Sequence, residues 1–266
     1  MTIPPAAAEP LWHLGSLPLT NAMINGWIAV VFFVCVAFVL RRALQEKPKG
    51  LQNLAEALVE FFLDQIEKVT GDKERARKFL PLIGTIFLFI LFSNWLGLLP
   101  GTGSIGIWEM IHGEKELVPL LRPAASDLNL TLAIAIFAVF ASHVFGILSI
   151  GPFHHVSKFV NIAGIIKALK KGPMAIIVAC IEFGVGFIEI ISEIAKVLSL
   201  SLRLFGNIFA GEVLMTVMLG LFSLFLPIPF IFLEILVGAI QATVFAMLTL
   251  AYLTVATTPH TQEEHA

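Results

Sequence analysis

Long apolar runs alternate with short charged segments along most of this chain. The first run, at 22–40, contains 19 residues without a charge, which is just enough to cross the hydrocarbon core of a bilayer. Further runs follow at 79–100, 128–150, 173–220 and 230–257. The pattern predicts an all-α polytopic membrane protein with about five membrane-crossing helices, forming a single membrane domain over the whole chain.

The segment 51–66 has a different pattern. Leu54, Leu58 and Phe61 recur at intervals of three and four residues, with acidic residues between them. An apolar stripe along an otherwise charged helix is typical of a helix that lies on the membrane surface. We therefore expect one amphipathic surface helix beside the five crossings.

The basic residues predict the orientation of the chain. Nine of the 17 lysines and arginines lie within 41–78 and four within 151–172, whereas the loop 101–127 holds only two. Basic residues concentrate in the cytoplasmic loops of membrane proteins, so we expect 41–78 and 151–172 to lie on the cytoplasmic side. Five crossings then place the N-terminus outside and the C-terminus in the cytoplasm.

The longest apolar run, 173–220, would form a helix of about 72 Å, whereas the hydrocarbon core is about 30 Å thick. No proline lies between Pro173 and Pro227, and no cluster of turn residues interrupts the run. We therefore predict one long, steeply tilted helix. The apolar segment 221–229 then forms a turn, so that 230–257 returns as the second arm of a tilted hairpin.

Charged residues interrupt the run 173–220. A charge at the centre of a membrane helix costs roughly 2.5–3.5 kcal/mol on insertion scales, so such residues mark a functional site by default. Four of the charges lie seven residues apart, and these are Glu182, Glu189, Lys196 and Arg203. On one helix they form a nearly straight polar stripe, which is typical of the wall of an ion path.

Arg203 has no acidic residue three or four positions away, where a partner on its own helix would lie. Lys196, by contrast, has Glu193 three residues before it, so a role in packing is equally compatible with it. A guanidinium group does not lose its proton in a protein. We therefore expect Arg203 to take a negative partner from another helix or another chain.

The proposed hairpin brings distant residues to the same depth, because residues facing each other in antiparallel helices have a nearly constant index sum. Arg203 and Asn207 then lie near the level of Gln241, at mid-membrane. Glu212 lies near the level of Glu234, towards the outer side. Two facing carboxylates in a medium of low dielectric cannot both stay ionised cheaply, so this layer is expected to exchange protons.

Acidic residues thus lie on both sides of a permanent cation, since Glu189 and Glu193 are on the inner side of Arg203. This order predicts two proton half-channels separated by a barrier. A proton does not pass the cation unaided and must be carried past it on a mobile carboxylate that something other than this chain supplies. The alternative is a set of intramembrane ion pairs that only specify helix packing.

Composition changes this picture little. Hydrophobic residues make up 58% of the chain, charged residues 14%, and the net charge is −2. No basic patch suggests a nucleic-acid partner, and no glycine-rich phosphate loop suggests ATP chemistry. The adjacent His154 and His155 favour a solvated loop over a metal site, and His143 is expected to be a packed or pore-edge residue. We predict no cofactor and no metal.

Four segments carry a specific pattern. They read SNWLGLLPG (Ser93–Gly101), SDLNLTL (Ser126–Leu132), SLRLFGNIFAGEVL (Ser201–Leu214) and IQATVFAMLTLAYL (Ile240–Leu253). Together they resemble subunit a of the membrane sector (Fo) of the F-type ATP synthase, over most of the chain from about residue 50. The resemblance implies a non-catalytic stator subunit that couples proton translocation to rotation of the subunit c ring. It also implies contact with subunit b of the peripheral stalk, with other ATP synthase subunits and with lipid, in a bacterial plasma membrane.

The resemblance assigns roles residue by residue. Arg203 matches the stator arginine that faces the rotor carboxylate. The outer half-channel is matched by Asn207, Glu212, Glu234 and Gln241. The inner half-channel is matched by Glu189, Ser192 and Lys196, and an acid at the outer entrance by Asp127. Glu234 stands where some bacterial members have histidine, which leaves open whether Glu212 or Glu234 relays the proton.

A self-contained secondary transporter or ion channel is the main rival. Internal repeats are typical of such transporters, and residues 1–150 hold no counterpart of the charged hairpin. A membrane scaffold would give no reason for an unpaired Arg203. The coupling ion, H⁺ or Na⁺, stays open because the selective site would lie on the rotor.

Overall fold

A computed structural model describes residues 5, 7–15, 17–99, 102, 105–111, 114–153, 173–221 and 227–258. The helices in these ranges are α1 (Asn21–Ala43), α2 (Leu51–Thr70), α3 (Lys73–Gly97), α4 (Leu128–Ile150), α5 (Pro173–Leu221) and α6 (Pro227–Thr257). All except α2 contain a stretch long and apolar enough to cross a membrane. The predicted all-α polytopic fold with five apolar helices is therefore confirmed. His154 and His155 lie outside the described residues, as does most of the predicted apolar turn.

The described residues also form two short β-hairpins, which the sequence pattern did not predict. Strands β1 (Pro10–Leu14) and β2 (Leu17–Thr20) pair before α1, and β3 (Gly106–Ile111) pairs with β4 (Glu114–Pro119) between α3 and α4. An isolated two-stranded hairpin is marginal in water. The second hairpin is fixed to the rest of the molecule at its end, where Val118 is buried.

Local capping explains why α2 and α3 extend beyond the predicted bounds. Gly71 ends α2 in the left-handed conformation, with φ of 67°, which glycine adopts without steric cost. The Asp72 side chain then accepts a hydrogen bond from the Glu74 N–H at 2.8 Å and starts α3. The charged residues at the start of α3 therefore continue the helix beyond its apolar run.

The core forms where α3, α4, α5 and α6 pack together. Its buried members include Ile90, Ala135, Ala138, Leu200, Leu204, Ala242 and Phe245. Small residues such as alanine allow close approach of membrane helices, whose association depends on packing. Among the described side chains of α5, the buried members of this core are Leu200, Leu204 and Ile208, whereas Leu198 and Leu202 in the same part of the helix are exposed. The helix thus has one packed face and one open apolar face.

The end of α3 packs tightly against the turn before α4. A β-carbon added to Gly97 would lie 2.9 Å from the Cα atom of Pro123. We predict that Gly97→Ala lowers the free energy of unfolding by about 1–3 kcal/mol, because the backbone must shift to relieve this overlap. The midpoint of thermal unfolding in detergent measures the effect. Gly84→Ala is the matched control, since nothing lies within 4 Å of its added carbon. Equal midpoints for the two variants would contradict the prediction.

Candidate functional site

Arg203 is exposed on α5, one residue before the buried Leu204. Its Nη2 atom donates a hydrogen bond to Ser199 Oγ at 3.4 Å, one turn earlier. Within the part of the chain that the structure describes, Arg203 has no acidic residue at ion-pair distance. The open face of α5 therefore carries a permanent positive charge without a counter-ion from the described residues.

Asn207 and Gln241 join the two long helices at the next level. The Asn207 Nδ2 atom donates to Gln241 Oε1 at 2.8 Å. The antiparallel index sum placed Arg203 and Asn207 near the level of Gln241, and it is Asn207 that contacts Gln241. Asn207 is exposed beside Arg203, whereas Gln241 is only 3% exposed. The pair therefore links the open face of α5 to polar groups inside the helix bundle.

Asn94 on α3 adds a buried amide that was not among the predicted site residues. Its Cβ atom lies 3.5 Å from the position of a β-carbon added to Gly238. Gly238 lies on the same face of α6 as Glu234 and Gln241, about one turn from each. The amide atoms of Asn94 and the Nε2 atom of Gln241 are buried without a hydrogen-bond partner among the described residues. Buried polar groups of this kind ordinarily bind water.

Glu234 is only 6% exposed on this same face of α6. A β-carbon on Gly211 would overlap its carboxylate, so the carboxylate lies directly against the backbone of α5. Within the described ranges Glu234 has no ion-pair partner. The index sum thus predicted the right level, since Gly211 and Glu212 are adjacent.

Glu212 itself has a different partner from the expected one. Its two carboxylate oxygens accept hydrogen bonds from the Nε atom of Arg122, at 2.8 and 3.0 Å. Arg122 is 2% exposed, and its Nη1 and Nη2 atoms donate to the carbonyl oxygens of Ala7 and Pro5. The expected pair of facing carboxylates is therefore replaced by an ion pair. Arg122 lies 90 residues before Glu212, so no local spacing in the sequence indicates the contact.

Asp127 has a clear role in starting α4. Its Oδ1 atom accepts a hydrogen bond from the Asn129 N–H at 3.0 Å, and the residue is buried. An aspartate at this position satisfies a backbone donor that the first helical turn leaves free. This contact accounts for the aspartate without an entrance role, which stays a prediction.

On the other side of Arg203, Glu193 lies at the centre of a polar cluster from three helices. Its Oε1 atom is 2.7 Å from Lys196 Nζ, and its Oε2 atom is 3.4 Å from Nε2 of His143 on α4. Lys196 Nζ also lies 5.2 Å from the centroid of the Tyr252 ring on α6. Lys196 thus has the partner that its spacing from Glu193 predicted. The contact of His143 with Glu193 has no signal in the sequence, because a lone histidine in an apolar run does not indicate its partner.

The remaining predicted residues of the inner side are Ser192 and Glu189. They lie on α5 about one and two turns before Lys196, on the side away from Arg203. Glu189 is half-buried and Ser192 is exposed. The side chain of Glu182, the first member of the stripe, lies outside the described residues. The stripe therefore has three described charges, of which Lys196 is paired and Arg203 is not.

Comparisons with known proteins cover almost the whole chain. The family model described as ATP synthase A chain matches residues 23–254. A protein named ATP synthase subunit a from Moorella thermoacetica is 30% identical over 243 residues, which is 91% of this chain and 93% of that protein. A protein of the same name from Gloeobacter violaceus is 34% identical over 250 residues, covering 94% of this chain and 89% of that protein. This chain therefore belongs to the ATP synthase subunit a family.

Proposed function

We propose that this chain is the stator subunit of the Fo sector, with two proton half-channels separated by Arg203. The observation that carries the proposal is the exposed guanidinium of Arg203 on an apolar face, without an acidic partner in the described residues. A charge in lipid is costly unless it is paired or solvated. An ionisable carboxylate of the subunit c ring, docked on this face, would supply the missing negative charge.

The outer half-channel follows the polar groups between α3, α5 and α6. Glu234, Asn94 and Gln241 line this path, and Asn207 connects it to the open face. A proton that enters from outside moves along these groups and neutralises a rotor carboxylate. The neutral rotor site can then turn into the lipid, because the cost of exposing a charge to lipid has been removed.

The inner half-channel begins on the other side of Arg203. A returning rotor carboxylate loses its proton beside the arginine, because the attraction between the two charges is roughly 4 kcal/mol at 4 Å with an effective dielectric of 20. The cluster of Glu193, His143 and Lys196, with Glu189 and Ser192 beyond it, gives the released proton polar groups along which it leaves.

Arg203 also prevents a direct leak between the half-channels, because a proton is repelled by a fixed cation of this kind. Each elementary charge that falls through 100 mV releases about 2.3 kcal/mol, which supplies the torque. The chain itself performs no ATP chemistry in this proposal. Its N-terminus lies outside and its C-terminus in the cytoplasm of a bacterial plasma membrane, with α2 along the surface near subunit b of the peripheral stalk.

The rival function, a self-contained transporter or channel, is separated by reconstitution. The purified chain alone and the purified ATP synthase complex are placed in liposomes, and acidification of the lumen is followed with a pH-sensitive dye. We expect ATP-driven acidification with the complex and no ion flux with the chain alone, because the chain lacks the mobile carboxylate. Sustained ion flux through the chain alone would favour the rival.

Gly211→Ala tests the position of the Glu234 carboxylate. The added methyl group occupies the place of this carboxylate, whose side chain is flexible enough to move away. We expect a normally assembled complex whose ATP-driven proton pumping falls about three- to tenfold, because the outer path is displaced. Gly206→Ala is the control, since nothing lies within 4 Å of its added carbon. Equal pumping rates for the two variants in inverted vesicles would contradict this position.

A further inference from the structure

Arg122 is a buried cation outside the predicted site, and all three nitrogen atoms of its guanidinium group donate hydrogen bonds. Nε donates to both carboxylate oxygens of Glu212, Nη1 to Ala7 and Nη2 to Pro5. A buried charge that loses its partner is strongly destabilising. Protonation of Glu212 would leave Arg122 in this condition. The geometry therefore opposes a role for Glu212 as a group that gains and loses a proton in every cycle.

The segment that carries Arg122 is itself fastened from several directions. Nδ2 of Asn25 donates to the carbonyl oxygen of Arg122 at 2.8 Å, and Nδ2 of Asn21 donates to that of Pro119 at 3.2 Å. The Asn21 N–H also donates to the carbonyl oxygen of Glu9. The start of α1 and the residues before it thus hold the Arg122 segment against the Glu212 end of α5.

Glu234 offers the opposite situation at nearly the same depth. Its carboxyl group is buried against Gly211, and no cation of the described chain lies at ion-pair distance from it. The space between Glu234 and Asn207 is bordered by Gly238, Asn94 and Gln241. Gain or loss of a proton by Glu234 breaks no ion pair with the described residues. The two outer glutamates therefore have environments that suit different roles.

Resting on the function proposed above, we infer that Glu234 is the outer proton-carrying carboxyl and that Arg122 is a positioning residue that holds Glu212 as a permanent ion-pair partner. The Arg122–Glu212 pair fixes the outer end of α5. It thereby fixes the backbone at Gly211, against which the Glu234 carboxylate lies.

Four variants of the complete complex test the inference: Glu234→Gln, Glu212→Gln, Arg122→Gln and the double variant Arg122→Gln/Glu212→Gln. ATP-driven proton pumping is measured in inverted vesicles and divided by the amount of assembled chain on an immunoblot. We expect Glu234→Gln to lose at least tenfold at a normal level. Glu212→Gln and Arg122→Gln should each lower the assembled amount, because each leaves one charge of the pair buried alone. The double variant should regain much of the assembled amount and pump within about threefold of the wild type, because it leaves neither charge of the pair buried alone.

Two outcomes would overturn the inference. One is a double variant that is absent from the membrane, or that is assembled and pumps no better than Glu212→Gln. The other is an assembled Glu234→Gln variant that pumps at the wild-type rate. Wild type and Arg203→Ala are measured in the same preparation. Failure of the wild type to pump, or pumping by Arg203→Ala, would refute the stator function itself. If the wild type pumps and Arg203→Ala does not, any failure among the four variants concerns only the roles of the outer acids.

Discussion

Replacing Arg203 with alanine should abolish ATP-driven proton pumping, with a loss on the order of a hundredfold or more. Roughly 4 kcal/mol of attraction for a rotor carboxylate disappears with the guanidinium group, and each 1.4 kcal/mol corresponds to a factor of ten. The variant should assemble normally, because Arg203 gives up only its 3.4 Å contact with Ser199 within the described chain. Inverted membrane vesicles with a pH-sensitive dye provide the measurement.

Ser199→Ala is the control for this prediction, because it removes the same hydrogen bond and keeps the charge. We expect it to pump at close to the wild-type rate. If assembled Arg203→Ala pumped like this control, Arg203 would be no more than a residue of helix packing, and the alternative of purely structural ion pairs would gain support.

The second large effect is expected from a negative charge introduced at Ser199. The Ser199 hydroxyl is already 3.4 Å from Arg203 Nη2, so a longer side chain at this position can reach the guanidinium group. In Ser199→Glu the arginine acquires a counter-ion from its own helix, four residues away. The rotor carboxylate then loses most of the attraction that drives its ionisation. We predict a loss of pumping of at least tenfold in inverted vesicles.

Ser199→Gln separates charge from size, because glutamine has nearly the shape of glutamate without its charge. This variant should pump within about threefold of the wild type. An equal loss in both variants would show that the open face is sensitive to bulk at this position. The inhibition would then say nothing about the charge of Arg203.

Much of the fold follows from patterns that act over short distances. Apolar length predicted the five long helices, and the lack of proline and turn residues predicted the continuity of α5. The three-residue spacing of Glu193 and Lys196 indicated their ion pair, because residues three apart on a helix are neighbours. The antiparallel arrangement of α5 and α6 predicted that Asn207 and Gln241 lie in one polar layer, where they form a hydrogen bond. In each case one repeating geometry fixes which residues meet.

The partner of Glu212 in the outer layer could not be predicted from repeating helix geometry. The index sum brought Glu212 and Glu234 to the same depth, but depth does not determine the direction of a side chain around the helix. Glu212 turns towards Arg122, a residue whose position depends on the loop before α4 and on the N-terminal segment. Neither has a periodic pattern. Contacts of this kind require the three-dimensional structure.

His143 and Asn94 illustrate a second reason why some contacts of the site could not be predicted from the sequence. Each lies in a long, mostly apolar run, and its contacts depend on which helices pack beside it. The structure places His143 beside Glu193 and Asn94 beside Gly238. The helix bounds differ for a simpler cause, since caps such as Asp72 lie beyond the apolar residues that define a crossing.

The central claim is that the open face of α5 around Arg203 docks on the rotor ring. Disulfide cross-linking tests it most directly, in a background with Cys35→Ser and Cys180→Ser and with one cysteine beside the ionisable carboxylate of the ring subunit. Leu202 is 53% exposed next to Arg203, whereas Leu204 is fully buried in the core. We predict an oxidant-induced cross-link with Leu202→Cys and none with Leu204→Cys. No cross-link at position 202 in an assembled complex, or an equal yield at 204, would contradict the account.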